Sequence, residues 1–424
     1  MGTFFTKLSL IFTDGSLMRR LGFIVIVLVV FRLMAAIPIP GIDEARLAEF
    51  FQNSSLLGFL SIFSGGGLSN LSIVMLGVAP YITASIIMQL ATIIVPALKS
   101  MYQEEGEMGR KRFGQYSRLL SVPLAVAQGV GLLYYFETQG LITTLTWYTF
   151  AINVLIVVAG SLFLMWLGEL ISEFGIGNGV SLIIFAGIVA GMPALLSQLL
   201  FTFDPSQIPL YAGFLAASLV ITFGVVYVSE AERPVPVTYA KRMVGNRETG
   251  GVQSYVPLRL NQAGVMPIIF ALSIITIPQF VIAGITRFVT DPSILSLVTQ
   301  LTTFPGNQIV YGVFYFLLVF LFTYFFTAVT FDPTQMANNL QKNGAFVAGI
   351  RPGLQTAEYL GRVITRITLV GAVFLGVIAV LPLAMQYITG AATFAIGGTA
   401  LLIVVSVVLD LVRKIDAQVS LREY

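Results

Sequence analysis

Ten long apolar runs constrain the fold of this 424-residue chain more than any other feature. Each is close to the roughly 20 residues that a helix needs to cross the hydrocarbon core of a bilayer. Hydrophobic residues make up 57% of the chain and charged residues 10%, which excludes an ordinary soluble domain. The sequence therefore predicts an all-α polytopic membrane protein with ten transmembrane helices. Their approximate cores are Leu21–Ile39, Val74–Val95, Leu119–Phe136, Trp147–Leu167, Val180–Leu200, Leu210–Val228, Ala263–Ala283, Val310–Val329, Ile367–Ala384 and Thr399–Val412.

Basic residues are concentrated at alternate ends of these spans. Of the 23 Lys and Arg residues, 20 fall in the N-terminal segment, the loops after spans two, six and eight, and the tail. The positive-inside rule then places both termini in the cytoplasm. Residues 1–20 are predicted as a cytoplasmic amphipathic segment and not a cleavable signal, and residues 413–424 as a cytoplasmic tail.

This orientation has a geometric consequence for the two halves of the chain. Residues 21–202, with spans one to five, begin in the cytoplasm, whereas residues 203–412, with spans six to ten, begin outside. If the halves share a fold, they form an inverted repeat with the functional site between them near the midplane.

Residues 63–90, FSGGGLSNLSIVMLGVAPYITASIIMQL, place three successive glycines in front of a span. Irregular backbone cannot face lipid, because each unpaired peptide group there costs several kcal/mol. One interpretation is a half-inserted segment that is buried in protein and belongs to a pore. The other is a flexible loop before an ordinary helix, and the pattern alone leaves both open.

Residue types that are missing from the chain or rare in its spans exclude several functions. The chain has no Cys and no His, so thiol chemistry and His-ligated metal sites are absent, and no Gly-rich run ends in the Lys-Ser/Thr of an ATP-binding P-loop.

Arg32 is the only clear charge within a span, where it serves either as a structural partner or in transport. An ion-coupled secondary transporter of small solutes is the alternative to a channel, although no Asp or Glu lies deep in a span to support it. A scaffold without a pore is disfavoured by the glycine-rich half-span.

Two long loops are predicted on the cytoplasmic side. Residues 229–261 alternate apolar and polar residues and contain Pro and Gly, which predicts a projecting pair of strands. Residues 332–362 predict a short helix and then a Gly/Pro turn that presents Arg351. Their basic residues fit either a topology signal or a docking site for an anionic partner such as ribosomal RNA.

Several stretches together resemble the SecY/Sec61 family of protein-conducting channels, in the family's order and over essentially the whole chain. The stretches are FRLMAAIPIPGID (31–43), FSGGGLSNLSIVMLGVAPYITASIIMQL (63–90), EEGEMGRKRFGQYSRL (104–119), FLMWLGELISEFGIGNGVSLIIFAGIVAG (163–191), YAKRMVGNR (239–247), LNQAGVMPIIFA (260–271), NNLQKNGAFVAGIRPGLQTAEYL (338–360) and GGTALLIVVSVVLD (397–410). The resemblance implies two inverted five-helix halves around a central hourglass pore, a plug, and a lateral gate that opens to lipid. It also implies a channel that passes unfolded polypeptides and releases apolar segments sideways, and not an enzyme.

The resemblance assigns three sets of residues to the channel itself. Family positions of the pore ring, all aliphatic here, fall on Val78, Ile82, Val180, Ile184, Ile269 and Ile403. The plug corresponds to residues 63–72 and includes Phe63, Gly65, Gly66, Gly67, Leu68, Asn70 and Leu71. The polar cluster of the lateral gate corresponds to Thr83, Gln128 and Asn261.

The resemblance also implies partners and a location. Lys241, Arg242 and Arg351 match positions that engage the ribosome or the SecA motor. Ala348 replaces a proline and Asn246 a basic residue common in the family, which puts turn stiffness and docking strength in question. SecE and SecG are the implied membrane partners, with signal sequences, translocating polypeptides and lipids, and no cofactor or metal is implied. The implied location is the inner membrane of a bacterium.

Overall fold

The computed structural model describes residues 15–40, 67–68, 70–142, 146–201, 208–239, 242–244, 247–249, 253–262, 264–275, 308–389 and 392–420. Several predicted features lie outside the described residues. These are most of the N-terminal amphipathic segment, the plug residues Phe63, Gly65 and Gly66, and Lys241 and Asn246.

Helices overlap every one of the ten predicted apolar runs. In chain order they are α1 Gly15–Ala35, α2 Ala79–Ile94, α3 Pro96–Gln103, α4 Gly106–Thr138, α5 Trp147–Phe174, α6 Gly179–Phe201, α7 Ile208–Glu230, α8 Met266–Ile275, α9 Gln308–Thr330, α10 Pro333–Lys342, α11 Leu354–Thr389 and α12 Ala392–Ser420. The predicted helical class is therefore confirmed, with short strands added outside the apolar helices.

Length and composition test which helices could cross a bilayer unaided. Within the described residues, four helical stretches are long and apolar enough, namely Gly106–Thr138, Trp147–Phe174, Ile309–Lys342 and Leu354–Tyr387. The pair α2 and α3 qualifies as a fifth, although it is bent by 115°. The bend falls at Val95, which is extended because the ring of Pro96 disfavours helical backbone in the residue before it. The number of spans thus stays a prediction.

Strands form where the sequence predicts a projecting pair. β1 (Glu232–Tyr239) runs antiparallel to β4 (Gln253–Arg259), and β2 (Arg242–Val244) pairs with β3 (Arg247–Thr249) at the tip. A third strand, β5 (Ala345–Val347), adds to the other edge of β1 and was not predicted. The predicted short helix is α10, whose first turn is capped by the Asp332 carboxylate.

A small apolar core attaches this sheet to α11. Val235, Val237 and Leu258 of the sheet are buried with Leu360 and Ile364, which lie near the start of α11. The first part of α11 therefore packs on the sheet, and only its later part coincides with the predicted span. We call the side of the molecule that carries this sheet the loop side.

Residues 67–68 and 70–78 form irregular backbone that is largely buried in protein, with Asn70 exposed. Leu68, Leu71, Val74 and Val78 are each at most 1% exposed. Two backbone hydrogen bonds join this segment to the chain after α1: Ile39 N–H donates to the Leu71 carbonyl (3.0 Å) and Ile73 N–H donates to the Ile37 carbonyl (2.9 Å). The segment thus finds its hydrogen-bond partners within the protein, as irregular backbone at membrane depth requires.

Helix α5 covers the same segment from another side. The Ser161 hydroxyl donates to the Gly77 carbonyl at 2.8 Å. Gly160 lies against the Ile73 carbonyl so closely that a Cβ atom there would overlap the oxygen. The described residues 71–78 are therefore packed within the protein and are not a loop on the surface, as expected for a half-span that is buried in protein.

We expect Gly160→Ala to destabilise the protein by about 1–3 kcal/mol, because the added methyl group collides with backbone that cannot rotate away. Thermal unfolding in detergent measures the effect. Gly129→Ala is the matched control, since its Cβ would meet Leu76 and Val158 at ordinary distances of 3.7 and 3.8 Å. Equal melting temperatures for the two variants would contradict the close contact.

Candidate pore and vestibule

Five of the six residues predicted for the pore ring come from four helices, Val78 directly precedes α2, and all six lie in or against one apolar region. Val78, Ile184, Ile269 and Ile403 are at most 2% exposed, and Ile82 is 8% exposed. All five belong to the same buried cluster, and Val180 is partly buried against it. None of the six points to the lipid-facing surface. The ring itself stays a prediction, because burial in a large cluster is also what ordinary packing would give.

Local geometry at the start of α6 positions two ring residues. Gly177 has φ +95°, a conformation that side chains rarely adopt, and it reverses the chain between α5 and α6. The Gly179 N–H then donates to the Ser172 hydroxyl oxygen at 2.9 Å. A Cβ at Gly179 would overlap the Gly168 carbonyl, so only glycine lets α6 begin this close to α5. Val180 and Ile184 follow on one face of α6.

Two cavities lie next to this apolar region. The first has a volume of about 670 Å³ and is lined by Ile82 and Val180 together with polar residues such as Ser85, Gln89, Glu169 and Glu173. The second has a volume of about 460 Å³ and is lined by residues such as Arg259, Asn261, Gln262, Ser406 and Arg413. Asn178 and Met266 line both cavities. We call the two together the vestibule.

Ion pairs tie helices together around the vestibule. The Arg118 Nε and the Glu169 Oε1 atoms are 2.5 Å apart and join α4 to α5. The Arg413 guanidinium donates to the Glu230 carboxylate and to the Ser229 carbonyl, and this joins the end of α12 to the end of α7. The vestibule walls are thus fixed by charge-assisted hydrogen bonds, which are stronger than neutral ones.

The predicted lateral-gate residues are buried or line the vestibule. Thr83 and Gln128 are 2% and 4% exposed. The Thr83 hydroxyl donates to the Ala79 carbonyl of its own helix at 2.9 Å. Asn261 lines the second cavity, and its buried Oδ1 atom has no hydrogen-bond partner. In the part of the chain that is described, no hydrogen bond joins these three side chains to one another.

The docking residues are only partly described. Arg351 is exposed in a turn between Gly349 (φ +81°) and Gly353 (φ +94°). The Arg351 carbonyl accepts a hydrogen bond from the Thr356 hydroxyl at 2.9 Å, which fixes the turn to α11. Arg242 lies in β2, and Lys241 is outside the described residues.

Sequence reasoning missed three polar residues of the vestibule: Gln89, Gln262 and Ser406. Gln89 and Ser406 lie inside predicted apolar runs, and Gln262 directly precedes one, so none of the three interrupts the hydropathy pattern of a span. The signal that could have found them is their spacing from the ring, since Gln89 lies two turns beyond Ile82 on the same face of α2.

The apolar helices, the buried half-span and the polar vestibule are those of a polytopic helical membrane protein with internal polar cavities. A family model for SecY matches residues 72–412. The protein translocase subunit SecY of Corynebacterium glutamicum is 40% identical, with 97% of each chain covered. The subunit of the same name from Halalkalibacterium halodurans is 40% identical, with 99% of each chain covered. This chain belongs to the SecY family.

Solved structures agree with the architecture. A structure described as that of a protein conducting channel has a TM-score of 0.64 at 20% identity, covering 94% of this chain and 91% of the other. Sec61 in a canine ribosome-channel complex has a TM-score of 0.61 at 20% identity, with the same coverage. The predicted family resemblance is confirmed by relatives that are named as translocase subunits, and the solved channels share the fold of this chain. The transporter alternative has no support from these comparisons.

Proposed function

We propose that this chain forms a protein-conducting channel, which passes unfolded polypeptides across a bacterial membrane and releases apolar segments sideways into lipid. Ten transmembrane helices in two inverted five-helix halves would surround a central hourglass pore. The observation that carries the proposal is the convergence of aliphatic residues from α2, α6, α8 and α12 beside a polar vestibule.

The pore ring would seal the channel by excluding water. Val78, Ile82, Val180, Ile184, Ile269 and Ile403 offer no hydrogen-bonding group, so a narrow passage between them dewets and blocks ions. Aliphatic side chains also make non-directional contacts, so they can close around a passing chain of any sequence. The polar vestibule supports this role of the ring, because the vestibule can hold hydrated polypeptide as far as the apolar region, where water is excluded.

The plug would close the ring from the side opposite the vestibule. Gly67, Leu68, Asn70 and Leu71 are the plug residues that the structure describes. Leu68 and Leu71 pack in a second buried cluster with residues of α4 and α5. This cluster adjoins the ring cluster through Ile73, which packs against both.

The lateral gate would open between α2 with α4 and α8 with α9. Thr83 on α2, Gln128 on α4 and Asn261 before α8 are its proposed polar residues. Separating two polar groups that are hydrogen-bonded across such a seam costs little free energy, since interhelical hydrogen bonds in membranes average about 0.6 kcal/mol.

Both termini would lie in the cytoplasm together with the loop side. The positive-inside distribution supports this orientation. Lys241, Arg242 and Arg351 would dock the SecA motor or the ribosome, and SecE and SecG would be membrane partners. Support for a ribosome comes from a structural neighbour that is part of a ribosome-channel complex.

Polar residues in the ring should wet the constriction. We expect Ile82→Asn combined with Ile403→Asn to raise ion conductance at least about tenfold over wild type in planar bilayers, because the apolar barrier to water is removed. Ile93→Asn is the control, since Ile93 is 64% exposed on the same helix as Ile82. Conductance equal to that of wild type in the double variant would refute the ring.

Signal sequences should contact the gate and the ring. With cysteines introduced at Thr83 or Ile269 and an added oxidant such as copper phenanthroline to accept the two electrons, we expect a disulfide to form with a cysteine-bearing signal peptide. The native chain has no competing cysteine. Mass spectrometry detects the adduct. A cysteine at Tyr387, which is 65% exposed near the end of α11, is the negative control. Absence of an adduct at both test sites would favour the transporter.

Arg351 should contribute to partner binding. We expect Arg351→Ala to weaken ribosome binding several-fold at low salt and to reduce the salt dependence by about one phosphate contact. Co-sedimentation over a range of salt concentrations measures both quantities. Arg112→Ala is the control, because its side chain is 61% exposed at the start of α4 and away from the turn. An equal effect of both variants would indicate a general charge effect and no specific docking.

A further inference from the structure

Buried polar atoms without partners are concentrated in the vestibule. Among the described residues, seven buried side-chain nitrogen or oxygen atoms have no hydrogen-bond partner. Five of the seven belong to Gln89, Asn261, Gln262 and Ser406, all of which line the two cavities. An unpaired buried polar group is costly, so such a concentration at one place indicates a ligand that supplies the missing bonds.

The chemistry of these atoms specifies the ligand class. Both the Nε2 and the Oε1 atoms of Gln262 are unpaired, so this amide offers a donor and an acceptor together. The Ser406 hydroxyl likewise donates and accepts, and Gln89 offers its Oε1 while its Nε2 donates to Ser85 (3.3 Å). A peptide group presents the complementary pair, one N–H and one C=O, in every residue of every polypeptide.

Position along the helices supports the same conclusion. Ser406 lies less than one turn beyond Ile403 on α12, and Gln89 lies two turns beyond Ile82 on α2. Gln262 precedes α8, which carries Ile269. The unpaired groups therefore stand beside the apolar ring, on the segments that carry it.

We propose that Gln89, Gln262 and Ser406 form a binding site for the main chain of an extended polypeptide at the entrance to the ring. This inference rests on the proposed channel function. Recognition of the backbone explains how a site can hold clients of unrelated sequence, because the peptide group is what they share. The hydrogen bonds would replace part of the hydration that a chain loses before it enters the apolar constriction.

A pair of peptides tests the site. The full chain, with the subunits that co-purify with it, is placed in lipid nanodiscs and titrated with a fluorescent 16-residue peptide of Ser, Thr and Ala. The second probe is the same peptide with N-methyl groups on alternate residues, which removes backbone donors. We expect wild type to bind the parent peptide about tenfold more tightly, as loss of one or two buried hydrogen bonds predicts.

The double variant Gln262→Met with Ser406→Ala should lose this discrimination and bind both peptides within about twofold. It should also melt no lower than wild type when no peptide is present, because it replaces unpaired buried polar groups by apolar ones of similar size. Gln335→Met, in the exposed part of α10, is the control and should discriminate like wild type. A structural role for Gln262 and Ser406 predicts the opposite melting result.

Three outcomes overturn the inference. Equal binding of the two peptides by wild type would exclude backbone recognition while leaving the channel intact, provided that the ring variant still leaks ions. Unchanged discrimination in the double variant would place the backbone contacts elsewhere. Binding of neither peptide by wild type, together with a ring variant that does not leak, would overturn the channel function itself.

Discussion

The requirement that every peptide group at membrane depth be hydrogen-bonded within the protein governs this structure. Most of the apolar chain meets the requirement by forming helices. Residues 67–68 and 70–78 do not, and this segment is accommodated by hydrogen bonds to the chain after α1 and to Ser161 of α5. Gly160 permits the close approach that makes this possible. The helices around the segment are thus arranged to satisfy backbone that would otherwise be excluded from a membrane.

Sequence alone predicted the features that follow from composition and period. Apolar length predicted the apolar helices, alternation predicted the β1–β4 pair, and the pattern of residues 332–362 predicted the short helix α10. It did not predict β5, because three residues carry too little periodicity and their pairing with β1 is fixed by a distant part of the chain. The extension of α11 onto the sheet was missed for a related reason, since hydropathy reports only the part of a helix that is continuously apolar.

The residues of the candidate site were also hard to predict, because their role depends on contacts with distant parts of the chain. The aliphatic ring residues look like ordinary core in the sequence, and only the family resemblance singled them out. Gln262 and Ser406 are invisible to pattern analysis, because a single polar residue within or beside an apolar run is common in membrane helices. Their significance depends on the absence of a partner, which is a property of the folded chain. An unpaired buried polar group costs free energy until a ligand bonds to it, whereas an aliphatic group excludes water without any partner. The proposed conduit needs both kinds of group, because polar groups hold the polypeptide and aliphatic groups keep water out.

Leu71 connects the fold to the proposed motion of the plug. It is the only non-glycine residue with positive φ (+41°) in the described part of the chain, and it is completely buried. Such a conformation costs about 1–3 kcal/mol and persists only where the surroundings enforce it. Here the enforcing contacts are the bonds from Ile39 to Leu71 and from Ile73 to Ile37. In the proposed opening, displacement of the plug beyond Leu71 would break these bonds and would also relieve the strain. The strained residue would then lower the barrier to opening at a point where the half-span is held by hydrogen bonds.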